Sequence, residues 1–290
     1  MIIAINFADS NFELQRKYNT QTAYSKGKVD RVIEYSPLTI DECFKEENKS
    51  ILSNPRGAGL WLWKPYFILK TLNELSDGDY LFYCDSGAFF VNKVQYLIDA
   101  LNQQGQSIMG FELPLLERQF TKRESFELMQ SSDYSRNQIL ATYMLFKKDD
   151  FSVQFVEEWL KYASDERIIS PDHFFSKLYQ FEDFRVHRED QSIFSILYYK
   201  YNLKGFREPS QYGDRPWEHI WIPAFSWSKP WLYRLSEFTN SDYPRILVGC
   251  RSNNPRVYKI KEYIKNIFNR MGLYNESVYV HMKKAYKNIL

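Results

Sequence analysis

The alternation of apolar and polar positions along the chain predicts strands and helices that follow one another from the N-terminus. Apolar runs predict strands at 2–7, 31–35, 80–84, 107–111 and 139–146. Between them apolar residues recur at helical spacing, most clearly at Val94, Leu97, Ile98 and Leu101. Strands that alternate with helices are typical of an α/β fold with a mostly parallel sheet flanked by helices.

Local signals refine this pattern. Thr39-Ile40-Asp41-Glu42 matches a capping box and predicts that a helix starts there. Pro65 suits the first turn of a helix, so Lys64 before it is expected to be extended. Further helices are predicted around 151–160 and 191–201. Residues 256–290 return to a helical pattern, and we divide the chain into a domain at 1–255 and a helical tail at 256–290.

Composition narrows the class of protein. The 290 residues carry 38 Lys and Arg against 36 Asp and Glu, a net charge of +2, which does not indicate a nucleic-acid binder. Aromatic residues make up 18 % of the chain, enough to bury a sizeable core and to exclude intrinsic disorder. The three cysteines, Cys43, Cys84 and Cys250, are far apart and odd in number, which argues against a disulfide scaffold.

Hydropathy predicts neither a membrane span nor a secretion signal. No apolar stretch reaches the ~18 residues that a spanning helix needs. The segment Met1–Asn6 lacks the basic region and cleavage site of a signal peptide. A cytoplasmic protein is therefore expected.

Two aspartates stand where an α/β sheet binds ligands. Asp85 follows an apolar strand and precedes Ser86-Gly87, so its carboxylate has room to accept from a ribose hydroxyl or to ligate a hard cation. Asp190 opens a helix within the segment 187–191, which crowds five polar residues together. The alternative for Asp85 is a turn that it caps itself, and for Asp190 an N-cap.

Three other features of the sequence are weaker signals of a binding or catalytic site. Lys64 at a helix start suits a phosphate, or is a solvated charge. Gly57-Ala58-Gly59 lacks the third glycine of a dinucleotide fingerprint and the ending of a P-loop. The four histidines, which are scattered without zinc-ligand spacing, are His173, His187, His219 and His281.

Three sequence blocks together resemble those of bacterial capsule and lipopolysaccharide glycosyltransferases of the GT-A (Rossmann-like) fold. They are Trp63-Lys64-Pro65, Tyr83-Cys84-Asp85-Ser86-Gly87 and His187-Arg188-Glu189-Asp190-Gln191-Ser192. The likeness runs from about residue 2 to about residue 214 and extends, more distantly, to the family 8 retaining transferases. It implies that residues 1–255 form a GT-A catalytic domain.

The resemblance also implies roles at the matching positions. Residues implied to bind the nucleotide are Phe7, Ala8, Asp9, Lys64, Asp85 and Ser86. Those implied at the reacting sugar are Asp190 and Gln191, with His187 as a competing general base. Those implied on the acceptor side or at the leaving diphosphate are Gln119, Thr121, Lys122, Arg188 and Lys229.

Metal use is where the sequence departs from the family. Asp85-Ser86-Gly87 lacks the second carboxylate of the Asp-x-Asp motif, and Pro223 stands where distant members have a metal-binding histidine. Asp85 is then the one implied ligand for Mn²⁺ or Mg²⁺, and metal independence stays open. A cation such as Lys229 aimed at the leaving diphosphate would serve the same electrostatic role.

The resemblance implies transfer of a hexose from a nucleotide diphosphate sugar, with UDP-sugars favoured, to a hydroxyl of a bacterial surface glycan or lipid-linked oligosaccharide. Two alternatives remain. The missing second carboxylate is compatible with a carbohydrate-binding or scaffold protein that lost catalysis. A sugar nucleotidyltransferase usually has a glycine-rich basic loop after the first strand, where this chain has Ala8-Asp9-Ser10-Asn11.

The tail at 256–290 has its own charge. It holds eight Lys or Arg and two Glu, a net +6, which leaves −4 for the preceding residues. Ile260, Ile264, Ile267 and Met271 share one helical face. The tail is expected either to lie on the anionic inner face of the cytoplasmic membrane, or to pack its apolar stripe on the domain with its lysines solvated.

Overall fold

A six-stranded sheet lies at the centre of the computed structural model, which describes residues 1–221, 235–250 and 254–279. The strands are β1 (Ile2–Phe7), β2 (Arg31–Tyr35), β3 (Tyr80–Cys84), β4 (Ala88–Phe90), β5 (Ile108–Leu116), β6 (Asn137–Lys147), β7 (Phe206–Arg207) and β8 (Leu247–Gly249). The order in the central sheet is β2-β1-β3-β6-β5-β7, and β4 and β8 form a separate two-stranded ribbon.

The direction of the strands confirms the predicted fold class. Strand β1 pairs in parallel with β2 and β3, and β5 pairs in parallel with β7. Strand β6 runs antiparallel to both of its neighbours, β3 and β5. The central sheet is therefore mostly parallel, with β6 as its reversed strand.

Helices follow the strands along the chain. The helices are α1 (Glu13–Thr22), α2 (Glu42–Glu47), α3 (Lys49–Leu52), α4 (Gly57–Leu60), α5 (Trp63–Glu74), α6 (Gln95–Gln104), α7 (Glu117–Phe120), α8 (Arg123–Leu128), α9 (Asp150–Ala163), α10 (Glu166–Ile169), α11 (Glu189–Lys200), α12 (Gln211–Asp214) and α13 (Pro255–Arg270). No helix in the described part of the chain is long and apolar enough to cross a membrane.

The core lies on both faces of the sheet, because successive residues of a strand point to opposite sides. Ile3 and Ile5 belong to one buried cluster, which includes residues of α5, α9 and α11. Ala4 and Phe82 belong to a second cluster, which includes the predicted stripe on α6. The helices therefore cover the sheet on both sides, as expected for this class.

Two local predictions were wrong. Lys64 is helical rather than extended, since α5 begins at Trp63. The steric bias against helix before a proline is modest, and the contacts that Lys64 and Trp63 make here outweigh it. Thr39 belongs to a capping box with Ser36, so the next helix begins three residues later, at Glu42.

Candidate active site

The short segment α4 is a strained left-handed turn rather than a regular α-helix, and it precedes the helix that carries Lys64. The residues with consecutive positive φ angles are Gly57 (61°), Ala58 (51°), Gly59 (98°), Leu60 (53°) and Trp61 (60°). L-residues avoid this left-handed region, so the turn needs support from its surroundings. Trp63 supplies part of it, because its indole Nε1 donates to the carbonyl of Gly57 at 2.9 Å and its ring stacks on Phe7 with centroids 3.7 Å apart.

Lys64 lies at the centre of the site, in the first turn of α5. Its Nζ pairs with Asp190 Oδ2 at 2.7 Å and lies 3.8 Å from Asp85 Oδ1. It also donates to the carbonyl of Ala141 on β6 at 2.9 Å. With 3 % of its surface exposed, Lys64 is not a solvated charge. It joins two carboxylates that are 105 positions apart along the chain.

The charges of this cluster stabilise one another. Burial alone would lower the pKa of Lys64, but the carboxylates of Asp190 and Asp85 raise it above its ordinary value. Burial raises the pKa of Asp190 to about 6, although the attraction of Lys64 opposes the change. At neutral pH the ammonium is charged and Asp190 is mostly ionised.

Asp85 is the more open of the two carboxylates. It directly follows β3, and its side chain is 35 % exposed. The Tyr83 hydroxyl donates to its Oδ1, and burial raises the pKa of that phenol well above its ordinary value, with Asp85 adding to the shift. Asp85 thus keeps part of its carboxylate available to a ligand at the carboxyl end of the strand.

The loop after β1 adjoins this position. Ser86 Oγ donates to the carbonyl of Phe7 at 2.6 Å, which ties the two loops together. The Asp9 side chain accepts a hydrogen bond from the backbone amide of Asn11, in the same loop, at 2.9 Å. Ala8 is buried and donates its amide to Tyr35. The predicted nucleotide-binding residues therefore lie on neighbouring loops, although the ring of Phe7 is packed against Trp63.

Asp190 does not cap its helix. Helix α11 begins at Glu189, which has a φ of +36°, and its N-cap residue Arg188 makes no side-chain cap bond. Asp190 instead uses its side chain for Lys64, and its carbonyl accepts from the Trp159 indole at 3.2 Å. The N-cap interpretation of Asp190 was therefore wrong.

Gln191, next to Asp190, belongs to a buried hydrogen-bond network. Its Nε2 donates to Gln138 Oε1 at 2.8 Å, and Gln138 Nε2 donates to Thr121 Oγ1 at 3.1 Å. Thr121 in turn donates to Glu117, and burial raises the pKa of that carboxyl to about 7. Thr121, predicted for the acceptor side, is connected to Gln191 through this network rather than exposed to a ligand.

His187 has both ring nitrogens engaged inside the core. Nδ1 accepts from the amide of Lys122 at 3.2 Å, and Nε2 donates to the carbonyl of Ile168 at 2.9 Å. The residue is fully buried, and burial lowers its pKa to about 3. This arrangement favours a structural role for His187 over that of a general base.

Of the other residues predicted for the acceptor or the diphosphate, Lys122 and Gln119 are packed inside and Arg188 is half-buried. Lys122 is buried, donates to the carbonyl of Asp172 at 2.8 Å, and has its pKa lowered to about 8 by that burial. Gln119 is buried, and its carbonyl accepts from Arg185. The Arg188 guanidinium lies 5.0 Å from the ring centroid of Phe120. Lys229 lies outside the described residues.

Sequence reasoning missed an arginine beside the site. Arg56 Nε pairs with Glu189 Oε1 at 2.6 Å, directly before Asp190, and the Arg56 side chain is 52 % exposed. In the sequence, Arg56 directly precedes Gly57-Ala58-Gly59, and this position could have indicated a functional arginine. The glycine segment was compared only with nucleotide-binding motifs. The strained turn thus brings both Arg56 and Lys64 to the start of α11.

Among the residues that the structure describes, the carboxylates around Lys64 do not form a ligand set for a divalent cation. The Asp190 carboxylate is paired with the Lys64 ammonium. Asp85 Oδ1 accepts a hydrogen bond from the Tyr83 hydroxyl and lies 3.8 Å from Lys64 Nζ. Within the described residues, no three His, Cys, Asp or Glu side chains converge as ligands. A hard cation needs several oxygen ligands, whereas the position between these carboxylates holds a lysine.

Comparison of the sequence with protein-family profiles and with curated proteins found no match. Among solved structures, the chain is similar to mouse xyloside xylosyltransferase 1 (9 % identity, TM-score 0.45, covering 88 % of this chain and 98 % of that one). It is also similar to the galactosyltransferase LgtC in complex with donor and acceptor sugar analogues (14 %, 0.46, 87 % and 88 %). A third is the bifunctional glycosyltransferase WbbM (11 %, 0.46, 87 % and 46 %).

Proposed function

We propose that the chain is a glycosyltransferase that moves a hexose from a nucleotide diphosphate sugar, with UDP-sugars favoured, to a hydroxyl of a glycan or lipid-linked acceptor. The observation that carries the proposal is the buried Lys64–Asp190 ion pair, 2.7 Å long, beside the half-exposed Asp85. Burying a charge is costly unless it is paired, and here the pairing holds two carboxylates at the carboxyl end of β3, where sheets of this class bind their ligands.

Each carboxylate suits one part of such a donor. Asp85, at the end of β3, is open enough to accept from ribose hydroxyls. Asp190 is 5 % exposed and fixed by Lys64, so its negative charge is preorganised for a sugar that becomes cationic as its bond to phosphate breaks. Lys64 is a positioning residue in this scheme, because its ammonium holds both carboxylates.

The transfer itself is a substitution at the anomeric carbon. The bond between that carbon and the diphosphate oxygen breaks, and its electron pair leaves with the diphosphate. The acceptor oxygen forms the new bond, and its proton passes to the departing phosphate. The oxocarbenium-like state between these events is stabilised by Asp190, by analogy with glycoside hydrolysis.

The leaving diphosphate needs positive charge that Lys64 does not supply, since two carboxylates already neutralise it. We assign this task to Arg56, whose side chain is 52 % exposed beside the start of α11, together with Arg188 and Lys229. A divalent cation such as Mn²⁺ or Mg²⁺ could supply further positive charge. Nucleotide binding measured with and without metal, as described next, tests this.

Ligand binding tests the class of substrate. Thermal-shift measurements with nucleoside diphosphates and sugar nucleotides, in EDTA and in Mn²⁺, are expected to show stabilisation by UDP or another nucleoside diphosphate. Stabilisation follows from mass action whenever a ligand binds the folded state alone. Stabilisation by free sugars but by no nucleotide would favour the carbohydrate-binding alternative.

Substitution of Asp190 tests its role. Asp190→Asn keeps an oxygen that accepts from Lys64 but removes the negative charge, so transfer from the donor should fall by about 10²–10³-fold. Nucleotide binding should stay near normal, because Asp85 and the loop after β1 are unchanged. A variant that transfers sugar at the wild-type rate would exclude this role for Asp190.

Asp183→Asn is the matched control for Asp190→Asn. Asp183 pairs with Arg118 at 2.9 Å, and its side chain is 27 % exposed. The same change of carboxylate to amide away from Lys64 should leave transfer unchanged.

A further inference from the structure

Helix α13 leaves its apolar side chains uncovered. Ile260 is 62 % exposed, Tyr263 69 % and Met271 63 %. The other large apolar residues of this segment that are exposed are Val257, Ile264, Ile267, Phe268 and Leu273. The expectation that this stripe packs on the domain was therefore wrong.

The helix docks on the domain through its opposite side instead, where Tyr258 packs against the buried cluster of Phe89, Val248 and Cys250. Glu262 is 2 % exposed, and its Oε2 pairs with Arg215, which is fully buried. At 100° per residue, Glu262 lies about 180° from the centre of the apolar stripe. Because Glu262 is the one acidic residue between 255 and 270, docking removes the helix's negative charge from its surface.

Basic residues flank the exposed stripe on both sides. At 100° per residue, Lys259 and Arg270 fall on one flank, and Lys261 and Lys265 fall on the other. Lys259, Lys261 and Arg270 are exposed, and Lys265 is half-buried near Glu262. An apolar stripe with basic flanks is the pattern of helices that lie in the plane of a membrane surface.

We propose that α13 is the surface by which the protein docks on an anionic lipid bilayer, with its apolar stripe inserted and its basic flanks at the headgroups. A lipid surface is favoured over a second copy of the chain, because two such helices facing each other would bring their basic flanks together. Residues 280–290 add Lys283, Lys284 and Lys287 to the same end of the sequence. The proposal does not depend on the transferase activity.

Co-sedimentation of the full chain with vesicles tests this docking. The chain should bind mixed phosphatidylglycerol–phosphatidylcholine vesicles and release them as salt is raised, since the attraction to anionic lipid is screened. The pair Ile260→Ser and Ile264→Ser should weaken binding at least about tenfold, because it removes apolar surface from the membrane. The pair Lys259→Gln and Lys261→Gln should weaken it roughly fivefold for each charge removed.

Leu38→Ser is the control, because Leu38 is an exposed apolar residue elsewhere (90 %) and its removal should leave vesicle binding unchanged. Thermal melting of each variant checks that the fold is intact. Equal binding to pure phosphatidylcholine vesicles, or no binding to anionic ones, would overturn the proposal. So would a wild-type dimer in light scattering that Ile260→Ser and Ile264→Ser convert to a monomer, since a second copy would then cover the stripe.

Discussion

Asp190 and His187 show how burial decides which residue can act near neutral pH. The two residues are three positions apart and both are buried. Burial disfavours the charged form of each, so it raises the pKa of the carboxyl to about 6 and lowers the pKa of the imidazole to about 3. Of the two, only Asp190 changes its charge close to neutral pH, where the proposed transfer is expected to take place.

This difference predicts the pH dependence of transfer. Asp190 binds a proton as the pH falls through about 6 and can then no longer stabilise a cationic sugar, so kcat/KM for the donor should fall below pH 6. Initial rates between pH 4.5 and 8 would be measured for the wild type and for His187→Gln. The variant should lose stability, because the hydrogen bonds of His187 to Lys122 and Ile168 are weakened, but its acidic limb should not move.

A His187→Gln variant that folds yet loses the acidic limb would restore His187 as the general base.

The raised pKa of Asp190 also has a consequence for stability. Folded Asp190 holds its proton to a higher pH than the unfolded chain does, so its contribution to the free energy of unfolding decreases as the pH rises from about 4 to about 6.

At the scale of elements, the sequence predicted those whose pattern is set by burial on a regular period. Strands β1 and β3 were confirmed because both of their faces are buried, so each is a short continuous apolar run, and helix α6 was confirmed because its apolar residues recur at helical spacing. The start of α5 was not predicted, because the left-handed turn before it depends on contacts with distant parts of the chain. The ion pair between Lys64 and Asp190 was missed for the same reason, although both residues were candidates.

The strained turn is expected to depend on its glycine. A Cβ at Gly59 would lie 2.8 Å from the Cα of Leu52, at a φ of +98° that L-residues rarely adopt. Gly59→Ala should therefore lower the free energy of unfolding by about 3 kcal/mol, as measured by urea denaturation. Transfer should fall with it, since this turn sets the position of Lys64.

Ala58→Gly, at the neighbouring position, is the control. It removes a Cβ from a residue with a φ of +51°, so strain is relieved while the unfolded chain gains freedom. The two effects oppose each other, and the free energy of unfolding should stay within about 1 kcal/mol of the wild type. A Gly59→Ala variant as stable as Ala58→Gly would contradict the turn described here.

At the scale of the whole molecule, a net charge near zero hides an uneven distribution. The tail from 256 to 290 carries +6 and the rest of the chain −4. The buried ion pair that joins α13 to the preceding residues has the reverse polarity, because it links the basic Arg215 to the acidic Glu262. Arg215 lies between Glu218 and Glu262, with Nε 2.6 Å from Glu218 Oε1 and a terminal nitrogen 2.5 Å from Glu262 Oε2. Arg245 joins the same cluster, with its Nη1 3.8 Å from Glu262 Oε2, and also pairs with Asp214 at 2.6 Å.

The buried arginine predicts how strongly α13 is held to the domain. Arg215→Met fills a similar volume but leaves the buried carboxylates of Glu218 and Glu262 without their main partner, which should cost about 3–5 kcal/mol. Replacing all three with apolar residues should recover much of that loss, because no charge then remains unpaired. Glu13→Gln breaks an exposed pair with Lys17 and should have no measurable effect. Urea denaturation of the three variants and the wild type measures these differences. An Arg215→Met variant as stable as Glu13→Gln would show that α13 is held by other contacts.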